Sequence, residues 1–386
     1  MSSKSHRIPI ILLTGFLGSG KTTLLNALLK APAFANTAVI VNEFGEIGLD
    51  HFLIEQSQDN VVLLDAGCLC CTISESLHET LAELHAKRVR GEVPPFERVI
   101  VETTGLADPG PILNTLLGHR LVTAHYRLEA AIVTVDTQHV SALIDEQPEV
   151  AQQIAVADRL VLTKTDVADD AEAIRSRLRA LNAWAPLVVS VSGMSALEAF
   201  APLDRYRLAR IPGGRYGDEH SHEHSHEHGH EHGHEHGHEH GHEHGRESPP
   251  HDLNRHDARI RAVCLTFDSA ASWSGVAAWW QLLSDTLGDR LLRCKGLLRI
   301  ADTGESVFIQ GVQRVFHRPE RLPAWPDADP RSRLVCIARD ADARDIEATL
   351  AALQYPAGTD PRAAAAEIRA LITGNTDPVG QPSGTI

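Results

Sequence analysis

Three thiols within four residues form the most chemically distinctive stretch of this chain. Cys68, Cys70 and Cys71 follow Gly67 and precede a helical pattern that begins near Ser74. Thiolates are soft ligands that hold zinc, copper(I) and related ions, and metal binding deprotonates the thiol. A redox pair and packed core cysteines are the alternative interpretations. We favour metal binding.

Three thiols supply one ligand fewer than a closed structural zinc site requires. The remaining position is open to Glu43, His78, water or a client protein, and an incomplete site suits transfer better than storage. Glu43 and Glu46 lie in Asn42–Asp50, which follows a predicted strand. Either carboxylate could serve the metal or a nucleotide, and a surface role is the alternative.

A phosphate-binding loop is predicted near the N-terminus. Gly15–Thr22 fits the pattern G-x-x-x-x-G-K-[ST] and lies between an apolar strand and a helical pattern. Backbone amides of such a loop surround phosphates. Lys21 is expected to reach the β- and γ-phosphates, and the Thr22 hydroxyl to ligate Mg²⁺. The predicted nucleotide-binding residues here are Gly15, Gly18, Ser19, Gly20, Lys21, Thr22 and Thr23.

Glu102 ends the predicted strand Arg98–Glu102 and is followed by Thr103-Thr104-Gly105. Ligands bind at the carboxyl ends of strands in open parallel sheets. A carboxylate there can act on Mg²⁺ directly or through water, and Gly105 can approach the γ-phosphate. We predict catalytic roles for Lys21, Glu102 and Gly105; a solvated loop carboxylate is the alternative for Glu102.

A base-reading segment is predicted at Thr163-Lys164-Thr165-Asp166, after another strand. It is similar to the Asn-Lys-x-Asp sequence of GTPases. A carboxylate at Asp166 would accept from the guanine N1 and N2 hydrogens, which adenine does not offer. Thr163 replaces the Asn, which weakens or alters one contact. We therefore predict GTP rather than ATP, bound in part by Thr163, Lys164 and Asp166.

A histidine tract occupies every even position from His220 to His244, with Glu, Ser and Gly between. It has almost nothing apolar to bury and is expected to be disordered. Imidazole binds zinc, copper, nickel and cobalt, so labile metal sites are predicted; a solvated spacer is the alternative. The histidines are His220, His222, His224, His226, His228, His230, His232, His234, His236, His238, His240, His242 and His244.

The overall composition restricts the partners. The chain has 386 residues and a net charge of −15 at pH 7, which argues against nucleic acid and an anionic membrane surface as partners. No stretch approaches the roughly 20 apolar residues of a membrane helix, and no signal peptide is evident. We expect a cytoplasmic protein, in which cysteines serve metal binding, catalysis or packing.

Strands alternate with helical patterns through the first two hundred residues. This order predicts an α/β fold: a P-loop NTPase domain with a mostly parallel sheet, followed by a smaller C-terminal α/β domain. Cys264, Cys294 and Cys336 fall in strand-like segments of the C-terminal part and are expected to pack in the protein core. The predicted divisions are a P-loop domain at 1–212, a His-rich linker at 213–257, the second α/β domain at 258–355, and a helix with a flexible tail at 356–386.

Taken together, these motifs resemble the CobW-type P-loop GTPases. The resemblance implies GTP binding, slow hydrolysis with Mg²⁺, and zinc or cobalt held by the cysteines for delivery to a client metalloenzyme. The Thr at position 163 departs from the commoner Asn of that family. A homo-oligomer is compatible with the resemblance. The matching segments are Gly15–Thr22, Asn42–Leu49, Gly67–Cys71, Glu102–Pro109, Thr163–Asp166 and Lys295–Leu298.

The function hypothesis is a metallochaperone under nucleotide control. GTP and Mg²⁺ would order Asn42–Leu49 and the loop after Glu102, and thereby change the geometry of Cys68–Cys71, which lies between them in sequence. One alternative is a metal buffer that stores ions in the histidine tract. Others are cobalt supply for cobalamin biosynthesis and a thiol-redox sensor using Cys70 and Cys71.

Overall fold

The computed structural model describes residues 7–41, 62–65, 73–166, 171–191, 195–203, 214–215, 260–326 and 328–373. The segments predicted to carry the metal ligands, Glu43, Cys68–Cys71 and His220–His244, lie outside these residues. The nucleotide-binding motifs lie within them.

Near-continuous apolar runs form a seven-stranded sheet in which every described pairing is parallel. The strand order is β3-β2-β4-β1-β5-β6-β7. The mostly parallel sheet predicted from the sequence is therefore confirmed. The strands are β1 (Ile8–Gly15), β2 (Thr37–Val41), β3 (Val62–Asp65), β4 (Arg98–Glu102), β5 (Tyr126–Asp136), β6 (Arg159–Thr163) and β7 (Leu187–Ser190).

Helices connect these strands, because a parallel pair needs a crossover, and they cover two separate apolar cores. Four of them were not predicted from the sequence: Arg120–His125, Val140–Glu146, Pro148–Val156 and Ala196–Ala199. Gln147 separates two of these short helices, and Pro148 occupies the first turn of the second, where proline is accepted. The helices are α1 (Lys21–Leu29), α2 (Ile73–Arg90), α3 (Pro109–Gly118), α4 (Arg120–His125), α5 (Val140–Glu146), α6 (Pro148–Val156), α7 (Ala171–Leu181) and α8 (Ala196–Ala199).

The C-terminal part forms a second sheet of order β12-β11-β10-β14-β9-β8, with β13 beside β11. Its described pairings are antiparallel except for β8 with β9. The strands are β8 (Gly214–Arg215), β9 (Ile260–Phe267), β10 (Leu291–Arg299), β11 (Ser306–Val312), β12 (Val315–Phe316), β13 (Glu320–Arg321) and β14 (Ser332–Arg339).

Three helices accompany this sheet: α9 (Trp273–Leu287), α10 (Ala343–Thr349) and α11 (Pro361–Thr373). They enclose a core around the fully buried Trp279. Cys294 and Cys336 lie in that core on directly opposed residues of β10 and β14, with their Sγ atoms 3.3 Å apart. Their predicted packing role is confirmed. Burial raises the pKa of the Cys294 thiol well above its ordinary value, so it stays protonated.

The two sheets meet across α6, since one apolar core includes Ile154 from that helix together with Ile260 and Leu297 from the second sheet. Just beyond α6, Asp158 accepts a hydrogen bond from Lys295 of β10 and lies 3.6 Å from Arg293. Shared apolar packing and largely buried charges therefore join the domains. None of the described helices is long and apolar enough to cross a membrane.

Candidate nucleotide site

Four neighbouring strands deliver the site residues to one edge of the first sheet. The order β4-β1-β5-β6 places the end of β1, which leads into the phosphate loop, between the ends of β4 and β5. Glu102 ends β4, Asp136 ends β5 and Thr163 ends β6. Because these strands are parallel, their carboxyl ends meet at the same edge, where such sheets bind ligands.

Glycine is required at two positions of the phosphate loop. Gly15 has φ +142°, and a Cβ there would lie 2.3 Å from the Thr134 Oγ1 atom. Gly20 has φ +91° and immediately precedes α1. Positive φ values are accessible to glycine at little cost. The loop can therefore turn tightly from β1 into α1 and present backbone amides at the helix N-terminus.

The Lys21 side chain folds back over the loop. Its Nζ atom donates to the carbonyl oxygens of Gly15, at 2.9 Å, and Phe16, at 3.2 Å. An ammonium held over a ring of backbone amides is a cationic cradle suited to phosphate oxygens. The structure thus brings the predicted lysine to the concave side of the predicted loop.

Two threonine hydroxyls tie the loop to the sheet below it. Ser19 Oγ lies 2.7 Å from Thr134 Oγ1, and the carbonyl oxygen of Ser19 accepts from Thr163 Oγ1 at 2.9 Å. Thr163 is buried and also bonds to the carbonyl oxygen of Val135, at 3.1 Å. In this arrangement its hydroxyl anchors the phosphate loop from beneath.

The residues predicted to hold Mg²⁺ come together. Thr22 Oγ1 donates to Glu102 Oε1 at 3.2 Å, and Glu102 is only 4% exposed. A hydroxyl and a carboxylate are hard oxygen donors, which Mg²⁺ prefers. The pair lies beside the loop that would hold the phosphates, so the donor set fits a magnesium-nucleotide complex.

The loop after Glu102 rests directly on the phosphate loop. Thr103 donates through its backbone N–H to the Leu13 carbonyl at 3.0 Å and through its hydroxyl to Thr14 Oγ1 at 2.7 Å. A Cβ on Gly105 would lie 2.4 Å from the Leu17 nitrogen. Only glycine allows this approach, which places Gly105 against the part of the loop expected to face the terminal phosphate.

The second residue of the predicted base-reading segment is strained, because Lys164 has φ +57°. Its Nζ atom donates to Asp136 Oδ2 at 2.7 Å, and His139 Nδ1 lies 3.0 Å from the same oxygen. Burial opposes ionisation of Asp136, but hydrogen bonds from Lys164 and His139 hold its pKa below the ordinary value. Asp166, which follows the carboxyl end of β6, is exposed, so a ligand can reach it.

Sequence reasoning missed three residues of this site: Thr134, Asp136 and Gln153. An acidic residue at a strand's carboxyl end was an available signal for Asp136. Thr134 and Gln153 belong to no motif, and Gln153 lies on α6, which the sequence predictions did not name. Among the residues that the structure describes, no group of three or more His, Cys, Asp or Glu is arranged to hold a metal ion.

Two family models match this chain. The CobW/HypB/UreG nucleotide-binding domain matches residues 9–189, and the cobalamin synthesis protein cobW C-terminal domain matches residues 260–354. The first match spans the phosphate loop, Glu102 and Thr163–Asp166. The second spans β9 to α10.

Similar proteins agree with these matches. The Escherichia coli zinc chaperone YjiA is 31% identical over 347 residues, covering 90% of this chain and 99% of that protein. The Pseudomonas aeruginosa zinc chaperone CobW is 35% identical over 205 residues, covering 45% of this chain and 52% of that protein.

The fold is also found in a solved relative. A crystal structure of Zn(II)-bound YjiA GTPase from E. coli matches with a TM-score of 0.60 and 26% identity, over 90% of this chain and 99% of that one. Sequence similarity and fold therefore extend together over both domains. The chain belongs to the CobW family of P-loop proteins, with a CobW/HypB/UreG nucleotide-binding domain followed by a CobW C-terminal domain.

Proposed function

We propose that this protein is a GTP-hydrolysing metallochaperone that binds zinc through Cys68, Cys70 and Cys71 and delivers it to a client metalloenzyme under nucleotide control. The observation that carries the proposal is the assembled pair of Thr22 and Glu102 beside a complete phosphate loop. The similarity to a zinc chaperone over 99% of that relative's length supports the choice of cargo.

GTP is the proposed nucleotide because Asp166 lies exposed at the carboxyl edge, following the fixed Lys164. A carboxylate there accepts from guanine N1 and N2 hydrogens, whereas adenine lacks that donor pattern. The Thr163 hydroxyl anchors the phosphate loop in place of the Asn found in typical GTPases. This arrangement supports recognition of the base by Asp166 without a direct contribution from Thr163.

Hydrolysis would depend on positioning and charge stabilisation. Lys21 would donate to the β- and γ-phosphate oxygens, and the loop amides would hold them in place. Thr22 and Glu102 would hold Mg²⁺, which when bound neutralises charge on the phosphate oxygens. Gly105, held against the phosphate loop, would approach the terminal phosphate. Slow intrinsic turnover is expected, since these parts position the reactants and include no separate general base.

Topology supports coupling between nucleotide and cargo. The chain enters Asn42–Asp50 from the end of β2 and the cysteine segment from the end of β3, and both strands run parallel to β1. Both strands therefore end at the edge that carries the phosphate loop. We propose that contact of Asn42–Asp50 with the γ-phosphate changes the ligand geometry of the cysteines.

The proposal is tested by zinc affinity, measured by competition with a chromophoric chelator in protein lacking residues 218–245, so that the histidine tract does not contribute. Cys70→Ala is expected to weaken the tightest zinc site by more than about tenfold. Cys264→Ala is the matched control, because burial raises the pKa of that thiol to about 11 and its thiolate is scarce at neutral pH.

Nucleotide control is tested in the same assay with a non-hydrolysable GTP analogue and with GDP. The two nucleotides are expected to give different zinc affinities in the protein with all its cysteines. Equal affinities would contradict the control mechanism, and an unchanged affinity in Cys70→Ala would contradict the cargo site.

A metal buffer is the second candidate function, favoured by the thirteen histidines between His220 and His244. Storage predicts that removing residues 218–245 eliminates most bound zinc and that the remainder does not respond to nucleotide. The metallochaperone proposal predicts that one nucleotide-responsive site survives the deletion. Zinc stoichiometry by elemental analysis, with GTP analogue and with GDP, distinguishes the two.

A further inference from the structure

Gln153 is a polar side chain inside an apolar part of the molecule. It lies on α6 between Val150 and Ile154 in sequence and is 1% exposed. A buried amide is costly unless it is hydrogen-bonded. Its Nε2 atom donates to the carbonyl oxygens of Gly105 and Ala107, each at 3.1 Å. Both acceptors belong to the loop that follows Glu102.

These bonds hold the loop at two of its carbonyl oxygens, those of Gly105 and Ala107. Gly105 is pressed against the Leu17 backbone on one face, while its carbonyl is bonded to Gln153. Beyond Ala107, Asp108 Oδ1 caps α3 by accepting from the Gly110 N–H at 2.8 Å. The planar peptide between Gly105 and Leu106 therefore has its orientation set by a side chain from another helix.

The helix that carries Gln153 is itself fixed by packing. Ala151, Ile154 and Ala155 belong to an apolar core that includes Ile260 and Leu297 of the second domain. Sites mounted on packed elements hold their geometry better than sites on loops. Gln153 can therefore transfer the rigidity of α6 to the loop.

We propose that Gln153 is a positioning residue for GTP hydrolysis: by bonding the Gly105 and Ala107 carbonyls, it presets the loop that contacts the terminal phosphate. This inference rests on the proposed function, since the reaction concerned is GTP hydrolysis. Gln153 contacts neither the phosphate loop nor the base-reading segment through a described hydrogen bond. Its effect is expected on the rate of hydrolysis and not on binding of GDP.

The test is Gln153→Leu, which keeps a similar volume but removes both donors. We expect the single-turnover rate of GTP hydrolysis to fall by about 10- to 100-fold, because small displacements of a positioned group have effects of this size. The affinity for GDP, which has no γ-phosphate for the loop to contact, is expected to stay within about twofold of wild type, giving a split between rate and binding.

Asn182→Leu is the matched control. Asn182 is also a 1% exposed amide, and its Nδ2 donates to Ile154, Ala155 and Ala157 carbonyls at 2.8, 3.2 and 2.9 Å. It therefore bonds the C-terminal end of the same helix by the same chemistry, and none of these bonds reaches the loop after Glu102. Both variants are expected to lower Tm, but at a temperature well below both transitions only Gln153→Leu should slow hydrolysis.

A poorly folded Gln153→Leu protein would be replaced by Gln153→Asn, which keeps the amide but withdraws it by one bond, about 1.5 Å. The same rate loss with unchanged GDP affinity is expected. Two results would overturn this inference and leave the proposed function intact: a Gln153 variant that hydrolyses GTP within twofold of the wild-type rate, or an equal loss of hydrolysis rate in Asn182→Leu. A wild-type protein that hydrolyses no GTP would overturn the proposed function and this inference together.

Discussion

At the residue scale, the site depends on side chains that share hydrogen bonds across long sequence separations. Thr22 bonds to Glu102 and Ser19 to Thr134, at separations of 80 and 115 residues. Most of these residues are buried, so each loss leaves a polar partner with reduced hydrogen bonding in a water-poor site. Conservative substitutions should therefore have large and specific effects.

Glu102→Gln keeps the shape of the side chain but removes its charge. The Thr22 hydroxyl retains an acceptor, whereas the carboxylate needed beside Mg²⁺ is lost. We expect hydrolysis to fall by about 100-fold, in the range found when one preorganised electrostatic group is removed, with a higher Mg²⁺ requirement. Phosphate release measured across a Mg²⁺ titration checks this; wild-type Mg²⁺ dependence in the variant would contradict the assignment of Glu102.

At the element scale, strand order and close backbone contact assemble the site. The ends of β4, β1, β5 and β6 lie side by side, and the loop after β4 reaches the phosphate loop only because Gly105 has no side chain. Helix α6 then supports that loop through the hydrogen bonds of Gln153 to the Gly105 and Ala107 carbonyls. A methyl group at the contact between the two loops should separate them.

Gly105→Ala is predicted to displace the loop, because its Cβ would lie 2.4 Å from the Leu17 backbone nitrogen. Overpacking of this kind costs about 1–3 kcal/mol of stability, and hydrolysis should fall by more than about tenfold. Gly118→Ala is the control, since its nearest contact would be an ordinary 3.6 Å. Denaturant unfolding and GTP turnover are the measurements; equal behaviour of the two variants would rule out the proposed contact.

At the scale of the whole molecule, the two domains are joined by apolar packing and by a charged cluster. Asp158, 9% exposed, accepts from Lys295 and from the Ala131 N–H, and lies near the fully buried Arg293. Burial opposes ionisation of Asp158, but Lys295 and Arg293 hold its pKa below the ordinary value. The carboxylate therefore stabilises the folded protein in its charged form.

The ionisation of Asp158 predicts that the free energy of unfolding depends on pH. Because the folded pKa of Asp158 is depressed, its contribution is complete above the ordinary Asp pKa of about 3.9 and is lost as pH falls through the lower folded value. Asp158→Asn leaves Arg293 without its carboxylate and should destabilise the protein by about 3–5 kcal/mol at neutral pH. Unfolding free energies measured from pH 7 down to about pH 2, which extends below the ordinary Asp pKa, check this; an Asp158→Asn protein as acid-sensitive as wild type would contradict it.

The sequence was most informative where chemistry depends on contiguous residues. A phosphate loop is recognisable because its glycines, Lys21 and Thr22 act through one short backbone turn, and the parallel strands are recognisable from their apolar runs. The antiparallel order of the second sheet and the short helices α4, α5, α6 and α8 were not predicted, since neither strand pairing nor the bounds of short helices follow from local periodicity alone.

The sequence by itself predicted the kinds of ligand proposed for this protein: phosphates for the glycine-rich loop, guanine for the carboxylate of Asp166, and metal ions for sulfur and imidazole ligands. These depend on residue type and local spacing. Only the tertiary structure decided which distant side chains complete the site, including Thr134 beneath the phosphate loop, Asp136 on Lys164 and Gln153 behind Gly105. Such contacts arise from strand order and helix packing, which bring together residues that no local pattern connects.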